Sequence, residues 1–333
     1  MNDIRYLTDH YDAKIAQINE FEAPLNFVFI TDQHNRLNYG SMLRKDPPDR
    51  PYELAADHIR SIQYILDRCP GISYVISGGD IGNDYDKKRE GILLAAGEVM
   101  DALYALSVPV HCCVGNHDDA VAIAELFGRN SRETAILPDE MHALCMRNNP
   151  TQENYYYLDL PDGGFRFVFL NTSDVPYFID KTGRYYYNGP CEISLKQAVW
   201  FEKEALATGR RIIVFSHMPL NNEGVFGTDG EPPYMKDYAE TLNAARVYAA
   251  CKNHPRVCAM IHGHVHYDNL IYRDHMVIIT TLCSFTQAFA PSSPKREFGK
   301  LSETAFDVFS IRDNVMRITR FGAGQDRAAT LIK

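Results

Sequence analysis

Nine short apolar runs, each about the length of one β-strand, constrain most strongly how this chain can fold. Several are continuously apolar, which is typical of strands buried on both faces. The predicted strands are Asn26–Thr31, Ser73–Ser77, Pro109–Val114, Phe165–Leu170, Arg211–Ser216, Val257–Ile261, Met276–Leu282, Phe306–Ile311 and Val315–Arg320. Apolar residues at helical spacing predict helices over Tyr52–Asp67, Gly91–Leu106, Leu195–Ala207 and Ala239–Lys252. This alternation indicates an α/β fold with strands sandwiched between helix layers, and Asp313-Asn314 predicts a hairpin between the last two strands.

The composition of the 333 residues is that of a globular protein, with 45% hydrophobic and 23% charged residues. No linker-like stretch or internal repeat divides the chain, so we predict a single domain over residues 1–333. The net charge of −9 disfavours nucleic acid as the main partner. No run is long enough for a membrane span or a secretory signal, and eight scattered cysteines favour reduced thiols in the cytoplasm.

Three segments interrupt the alternation of strands and helices: Gly128–Asp162, Asp174–Cys191 and Asn221–Asp237. They are rich in Tyr, Asn, Gly and Pro, and they contain the triplets Tyr155–Tyr157 and Tyr185–Tyr187. Long irregular loops in a compact domain are often binding loops. The alternative is that these tyrosines cover the edge of the core and keep their hydroxyl groups in water.

Polar clusters follow five of the predicted strands, each at the point where the apolar run ends. Ligands bind at the carboxyl ends of strands in open α/β sheets, so five such ends can converge on one point. Glycines beside the polar residues let the backbone turn sharply and approach a ligand closely. The clusters are Asp32-Gln33-His34, Gly78-Gly79-Asp80, Gly115-Asn116-His117-Asp118, His217 with Pro219, and His262-Gly263-His264-Val265-His266.

The side chains in these clusters offer oxygen and nitrogen donors but no sulfur. Mixed carboxylate and imidazole donors suit Mn, Fe or Zn better than Ca²⁺, which prefers oxygen alone. Seven donors are too many for one tetrahedral ion but suit two ions that share a bridging carboxylate. The candidate metal ligands are Asp32, His34, Asp80, Asn116, His217, His264 and His266.

In this order, the motifs D-x-H, G-G-D-x-x-N, G-N-H-D, S-H-x-P and G-H-x-H resemble those of the calcineurin-like metallophosphoesterase superfamily over roughly residues 26–270. The resemblance implies a four-layer α/β/β/α sandwich of two mixed sheets, completed by C-terminal strands within residues 276–320. It also implies one metal on Asp32, His34, Asp80 and His266, and a second on Asp80, Asn116, His217 and His264. A water or hydroxide between the metals would be the nucleophile. His117 would face the substrate as a general acid or stabilise charge there.

The residue three after Asp80 distinguishes branches of this superfamily. Ser/Thr protein phosphatases carry a carboxylate there, followed by Arg, and purple acid phosphatases carry a Tyr ligand. This chain has Asn83 and Asp84, so it is more similar to the bacterial phosphodiesterase and nucleotidase branches. Asn83 could orient His117, but it would hold the positive charge of that imidazole less firmly than a carboxylate.

The sequence therefore predicts a metal-dependent hydrolase of small phosphoric esters, with a phosphodiester or nucleotide substrate favoured. A phosphomonoesterase, acting on small molecules or phosphoproteins, is the alternative within the enzyme class. A non-catalytic metal-binding scaffold of the same fold is the alternative from another class. His262 is expected to support the site or the packing, and Asp118 to support its loop. The remaining histidines are expected in the core or at the surface: His10, His58, His111, His142, His254 and His275.

Overall fold

The computed structural model describes residues 3–35, 55–82, 89–119, 135–161, 164–174, 191–220, 242–284, 294–297 and 299–332. Its helices are α1 (Arg5–Thr8), α2 (Asp12–Phe21), α3 (Ala55–Leu66), α4 (Arg89–Tyr104), α5 (Pro138–Cys145), α6 (Leu195–Trp200) and α7 (Leu242–Asn253). Its strands are β1 (Leu25–Ile30), β2 (Ile72–Ser77), β3 (Val110–Cys112), β4 (Tyr156–Asp159), β5 (Phe165–Leu170), β6 (Arg211–Ser216), β7 (Val257–His262), β8 (Asn269–Arg273), β9 (Met276–Thr280), β10 (Ala305–Arg312), β11 (Val315–Gly322) and β12 (Arg327–Thr330). A π-helical turn over Phe201–Ala205 extends α6, and Leu301–Glu303 forms a 3₁₀ turn.

Within the described residues these strands form two six-stranded mixed sheets. The first has the order β12-β11-β10-β1-β2-β3, and the second has the order β4-β5-β6-β7-β9-β8. In the first sheet β1, β2 and β3 run parallel, while β10 is antiparallel to β1. In the second sheet β5, β6, β7 and β9 run parallel, with β4 and β8 antiparallel at the edges. The two mixed sheets of the predicted fold class are therefore present.

Alternating residues of the second sheet belong to two different hydrophobic clusters. Phe167 and Phe169 of β5 join the large cluster that also contains the first sheet, whereas Val168 joins the cluster that contains α6 and α7. Because successive side chains of a strand point to opposite faces, one face meets the other sheet and the opposite face meets helices. This is why the strands read as continuously apolar, and it establishes the sandwich of sheets between helices.

Aromatic rings fill the space between the two sheets. Phe27 of the first sheet packs edge-on against Phe167 and Phe215 of the second, with ring centroids 5.1 and 5.6 Å apart. Phe27 also stacks on Phe309 of β10 at 5.0 Å. Such ring pairs contribute about 0.5–1.5 kcal/mol each beyond their buried area. This layer fixes the two sheets against each other and thereby positions the loops at the strand ends.

All nine predicted strands are present, and β5 and β6 have the predicted bounds. The hairpin of β10 and β11 is also confirmed, with Arg312 opposite Val315 across the turn. The sequence missed α1, α2 and the edge strands β4, β8 and β12. Edge strands are half exposed and therefore lack the apolar run on which the prediction depended.

The prediction of an irregular segment over Gly128–Asp162 was wrong where α5 and β4 form. Tyr156 lies in β4, is buried, and stacks on Phe169 with ring centroids 4.6 Å apart. Its hydroxyl lies 3.0 Å from His111 Nδ1, so Tyr156 belongs to the core rather than to a binding loop or a wet edge. Tyr185–Tyr187 and nearly all of the other two irregular segments lie outside the described residues.

All eight cysteines are buried, and none forms a disulfide. Among the described helices, none combines the length and the apolar composition that crossing a bilayer requires.

Candidate metal centre

Polar residues follow five strands of the parallel parts of the two sheets. β1, β2 and β3 are adjacent in the first sheet, and β6 and β7 are adjacent in the second. The loops that follow them are joined by backbone hydrogen bonds. Asp32 N–H donates to Gly79 O at 2.9 Å, and Gly263 N–H donates to His217 O at 3.1 Å. The packing of the two sheets brings these loops together, as the sequence predicted.

The first group of candidate ligands consists of Asp32, His34 and His266, all buried. His266 Nε2 lies 3.0 Å from Asp32 Oδ1 and 3.2 Å from His34 Nε2. His34 Nε2 is 3.7 Å from the same Asp32 oxygen. One carboxylate oxygen and two imidazole nitrogens therefore converge closely enough to share a cation.

The second group consists of Asn116, His217 and His264. Asn116 Oδ1 lies 3.0 Å from His217 Nε2 and 2.8 Å from His264 Nδ1, and the two nitrogens are 3.2 Å apart. His217 Nδ1 donates to Gly78 O at 2.8 Å, which leaves Nε2 as the nitrogen that faces the group. An amide oxygen and two imidazoles thus form a second convergent set.

Asp80 lies between the two groups. Its Oδ2 is 3.1 Å from His217 Nε2 and 3.7 Å from His34 Nε2. Burial would raise the pKa of Asp80, but His217 and His117 face it and hold the pKa below its usual range. An ionised carboxylate in this position can contact a cation in either group.

Five of the seven candidate ligands have a left-handed backbone conformation, which side chains other than glycine rarely adopt. Each such residue costs about 1–3 kcal/mol and persists only where its surroundings fix it, most often at functional sites. The conformation occurs at Asp32 (φ 57°), His34 (φ 45°), Asp80 (φ 53°), His264 (φ 64°) and His266 (φ 57°). Backbone strain is therefore concentrated at the candidate ligands, which indicates that the fold holds these side chains together at a cost in stability.

Two motif glycines allow the loops to pack this closely. A Cβ on Gly115 would lie 2.1 Å from Asp80 Oδ1, and a Cβ on Gly263 would lie 2.2 Å from Thr31 Oγ1. Both distances are far below van der Waals contact, so any side chain would displace the loop. These glycines permit the close approach predicted from the sequence.

Asp118 supports the loop that carries Asp80. Its carboxylate accepts the backbone N–H groups of Asp80, Ile81, Gly82 and Gly115 at 2.8–3.3 Å. Burial and the charge of Asp80 raise the pKa of Asp118 to about 6, which leaves it ionised at neutral pH. The loops after β2 and β3 are therefore joined through one buried carboxylate, as the sequence suggested for this residue.

Burial lowers the pKa of an isolated histidine, but negatively charged neighbours reverse this effect at two positions. At His217, Asp80 outweighs burial and raises the pKa to about 9. At His266, the neighbouring Cys283 and the carboxylate of the first group outweigh burial and raise the pKa to about 10. At His264, burial and the charge of His217 lower the pKa to about 3. Two protonated imidazoles thus balance the carboxylates, and bound cations could replace those protons.

His117 lies at the edge of the two groups and is partly exposed. Its backbone N–H donates to Asp80 Oδ1 at 2.9 Å, and its ring packs edge-on against His34 with centroids 5.2 Å apart. A ring nitrogen of His117 also lies within 4.8 Å of donor atoms of His34 and Asp80. The structure therefore places His117 within reach of anything bound between the groups.

The residues that were not expected to be ligands lie outside both groups. His262 Nδ1 is 2.7 Å from Ser216 Oγ, and burial lowers its pKa to about 3, so it is a neutral supporting residue. His58 pairs with Glu303 in the core at 2.8 Å, and His10 is exposed. Asn83 lies outside the described residues.

Cys283 is a neighbour of the site that the sequence analysis missed. It is buried and is a hydrogen-bond partner of His266. It follows β9, which, like β5, is a parallel strand whose carboxyl end carries none of the five polar motifs. Its position at such a strand end was the only signal in the sequence.

The fold and the convergent donors define a class of metal-binding α/β hydrolases, and comparison with known proteins makes the assignment specific. Residues 25–268 match the profile of the calcineurin-like phosphoesterases, which is most of the chain. The protein belongs to this family and is a metal-dependent phosphoesterase. A search of curated protein sequences finds no match.

Solved structures share the fold at low sequence identity. A dimetal phosphatase from Danio rerio is 19% identical, with a TM-score of 0.61, over 93% of this chain and 100% of that one. GAP50, described as the anchor in the inner membrane complex of Plasmodium, is 15% identical, with a TM-score of 0.51, over 94% of this chain and 90% of that one. Both similarities support the architecture described above.

Proposed function

We propose that this protein hydrolyses small phosphodiesters or nucleotides at a centre of two transition-metal ions. One ion would be held by Asp32, His34 and His266, the other by Asn116, His217 and His264, and Asp80 would bridge them. The observation that carries this proposal is the position of Asp80 Oδ2, 3.1 Å from one group and 3.7 Å from the other. A bridging carboxylate is the feature that distinguishes a two-metal centre from two separate sites.

The donor chemistry fits Mn, Fe or Zn. Two carboxylates and one amide supply oxygen, four imidazoles supply nitrogen, and no thiolate is among the seven. The carboxylates have no positive partners in the groups except histidines, whose protons a metal would displace. When bound, two such ions polarise the phosphoryl oxygens and lower the pKa of a water molecule that attacks phosphorus.

His117 is proposed to donate a proton to the leaving oxygen. Its backbone N–H is fixed on Asp80 Oδ1 at 2.9 Å, so its ring is held beside the bridging carboxylate. Partial exposure leaves the ring accessible to a substrate. Among side chains, imidazole is the most frequent general acid in enzymes that work near neutral pH.

The preference for diesters rests on the sequence beside the bridging residue. Asn83-Asp84 replaces the carboxylate-Arg pair of the protein phosphatases, so the resemblance favours the phosphodiesterase and nucleotidase branches. The net charge of −9 disfavours nucleic acid, since binding of its backbone is largely electrostatic. Eight cysteines that form no disulfide are typical of a reducing compartment such as the cytoplasm.

A phosphomonoesterase remains the alternative within the enzyme class. A structural role is the alternative outside it, because the neighbour GAP50 is described as an anchor. A purely structural protein has no need of strained ligand residues, and five strained positions converge here. We therefore favour catalysis.

The test is an assay of metal-loaded protein on bis-(p-nitrophenyl) phosphate, p-nitrophenyl phosphate and cyclic nucleotides. The proposal predicts metal-dependent turnover, with kcat/KM higher for the diesters than for the monoester. A higher kcat/KM for the monoester would contradict the diester proposal and identify the protein as a phosphomonoesterase. Absence of turnover with two bound metals on all substrates would favour the scaffold.

A further inference from the structure

A fully buried arginine lies in the C-terminal hairpin behind the metal centre. Arg320 of β11 lies directly opposite Asp307 of β10, and both side chains are inaccessible to solvent. Arg320 Nε donates to Asp307 Oδ1 at 2.8 Å, and Nη1 donates to Ala323 O at 3.0 Å. Nη2 donates to Asp268 Oδ1 at 2.5 Å and to Thr281 Oγ1 at 2.9 Å. The guanidinium thus joins three chain segments.

A second arginine balances the charges of this network. Arg327 Nη2 donates to Asp307 Oδ2 at 2.6 Å, and Arg327 Nη1 lies 3.3 Å from Asp268 Oδ1. Two arginines therefore face two carboxylates. Burial raises the pKa of Asp307, but the two arginines outweigh it and lower the pKa. Removing one member of a buried pair is costly because it leaves a charge without compensation.

Gly324 shows how closely the chain packs on this network. A Cβ at this position would lie 2.9 Å from Asp268 Oδ2 and 3.0 Å from Arg320 Nη1. Gly324 also has a φ of 98°, which disfavours any other residue. Gly324 therefore leaves room for the contact between Arg320 and Asp268.

The network reaches the first group of candidate ligands by two routes. Asp268 is two residues beyond His266 and accepts the backbone N–H of Leu282 at 3.3 Å. The next residue, Cys283, is a hydrogen-bond partner of His266. The residue after that, Ser284, donates its backbone N–H to the carbonyl of Thr31, immediately before Asp32, at 2.9 Å.

The second group is supported by different contacts. His217 is held by Gly78 O, and the loop of Asn116 is held by Asp118. Arg320 makes no hydrogen bond to these residues among those the structure describes. A change at Arg320 should therefore reach one group and spare the other.

We propose that Arg320 is a positioning residue for the first metal site, acting through Asp268 and the segment Thr281–Ser284 on His266 and Asp32. This inference rests on the proposed two-metal function. It also assigns a role to the C-terminal hairpin, which lies beyond the residues that match the family profile. The selective effect on one ion is what separates this role from a general contribution to stability.

The test compares Arg320→Met with Arg166→Met. Arg166 is also buried, pairs with Asp159 at 2.7 Å, and lies near the amino end of β5, away from the candidate ligands. Equilibrium dialysis with Mn²⁺ and metal analysis would give the affinity of each site, and thermal unfolding would report stability. We expect Arg320→Met to lower the affinity for one of the two Mn²⁺ ions by about 10-fold or more. Arg166→Met should leave the affinities for both ions unchanged.

Two further variants, each expected to bind a single ion, identify the ion whose affinity is lowered. The His217→Ala variant should keep only the first ion, and adding Arg320→Met to it should lower the affinity for that ion. In His266→Ala, which should keep only the second, the same change should have no effect. If Arg320→Met folds poorly, Asp268→Asn keeps Arg320 and should produce the same selectivity at smaller magnitude.

Equal weakening of both ions, or equal behaviour of the Arg320 and Arg166 variants, would overturn the inference. If the wild type binds two Mn²⁺ ions and Arg320→Met binds both with unchanged affinity, the role of Arg320 would be overturned but the proposed function would not. A wild type that binds no Mn²⁺ would overturn the proposed function as well.

Discussion

The two halves of the metal centre use similar donors but are supported by different parts of the chain. The first group contains a carboxylate, Asp32, and is backed by the segment Thr281–Ser284 and the buried Arg320. The second group contains a neutral amide, Asn116, and is backed by Gly78 O and the carboxylate of Asp118. The first group depends on the C-terminal hairpin, whereas the second depends on contacts among the motif loops themselves.

This difference suggests that the two sites can vary independently. A site that carries one more negative charge holds a cation more strongly, so the first group should bind metal more tightly than the second. Asp80 couples them, because its carboxylate is shared.

The largest effect is expected when either group loses an imidazole. His217→Ala and His266→Ala should each bind about one metal equivalent instead of two and lose activity by orders of magnitude, because each residue supplies a ligand to a different ion. His10→Ala, at an exposed histidine, is the matched control and should retain both metals and full activity. Metal analysis and kcat/KM measure the outcome. Full activity in His217→Ala at limiting metal would show that the second group is misassigned.

A smaller effect is expected when His117 is changed, since it is proposed to serve chemistry rather than either ion. His117→Asn should keep both metals and lose about 10²–10⁴-fold in kcat/KM on an alkyl or nucleoside ester. The loss should be smaller on a nitrophenyl ester, whose leaving group needs little protonation.

The control for His117 is metal content, because its ring is close enough to His34 and Asp80 to act as a ligand. Loss of a metal from His117→Asn would make it a ligand. Equal slowing of every ester with both metals present would assign it to charge stabilisation instead.

The smallest effect concerns protons. In the metal-free centre the pKa of His217 is about 9 and that of His266 about 10, so both imidazoles are protonated at pH 7. Metal binding at pH 7 should therefore release close to two protons, one from each group, and affinity should rise with pH up to about 10. Calorimetry of Mn²⁺ binding in buffers of different ionisation enthalpy measures the release. Release of no protons would contradict the assignment of both imidazoles.

The same raised pKa values determine how the stability of the metal-free protein depends on pH. Protonated His217 and His266 contribute stability that is complete below the unfolded value of about 6.5 and is lost as pH rises through 9 and 10. Urea unfolding of metal-free protein at pH 6 and pH 10 checks this direction. Substitution of both histidines should flatten the difference.

The convergence of the candidate ligands could be predicted from the sequence because they lie in short motifs at strand ends. Each of the seven candidate ligands falls within a few residues of an apolar run, and the strand order then brings the runs together. The left-handed conformation of residues such as His34 could not be predicted, since it follows from loop contacts made only after folding.

The burial of Arg320, unlike its contact with Asp268, follows from the sequence pattern of its strand. It shares a strand face with Met316 and Ile318, both buried, so alternation alone predicts a buried charge. With a two-residue turn at Asp313-Asn314, the hairpin register places Arg320 opposite Asp307. The contact with Asp268 could not be foreseen, because it joins this hairpin to a loop of the other sheet.

The position of Asp80 between two metals is the feature on which the proposed centre most depends. A crystal structure of Mn²⁺-loaded protein, with anomalous scattering measured for the metal, tests this claim. We predict two ions about 3–4 Å apart, one at each group, with the Asp80 carboxylate contacting both. A single well-occupied ion, or two ions with Asp80 directed away from either, would contradict it.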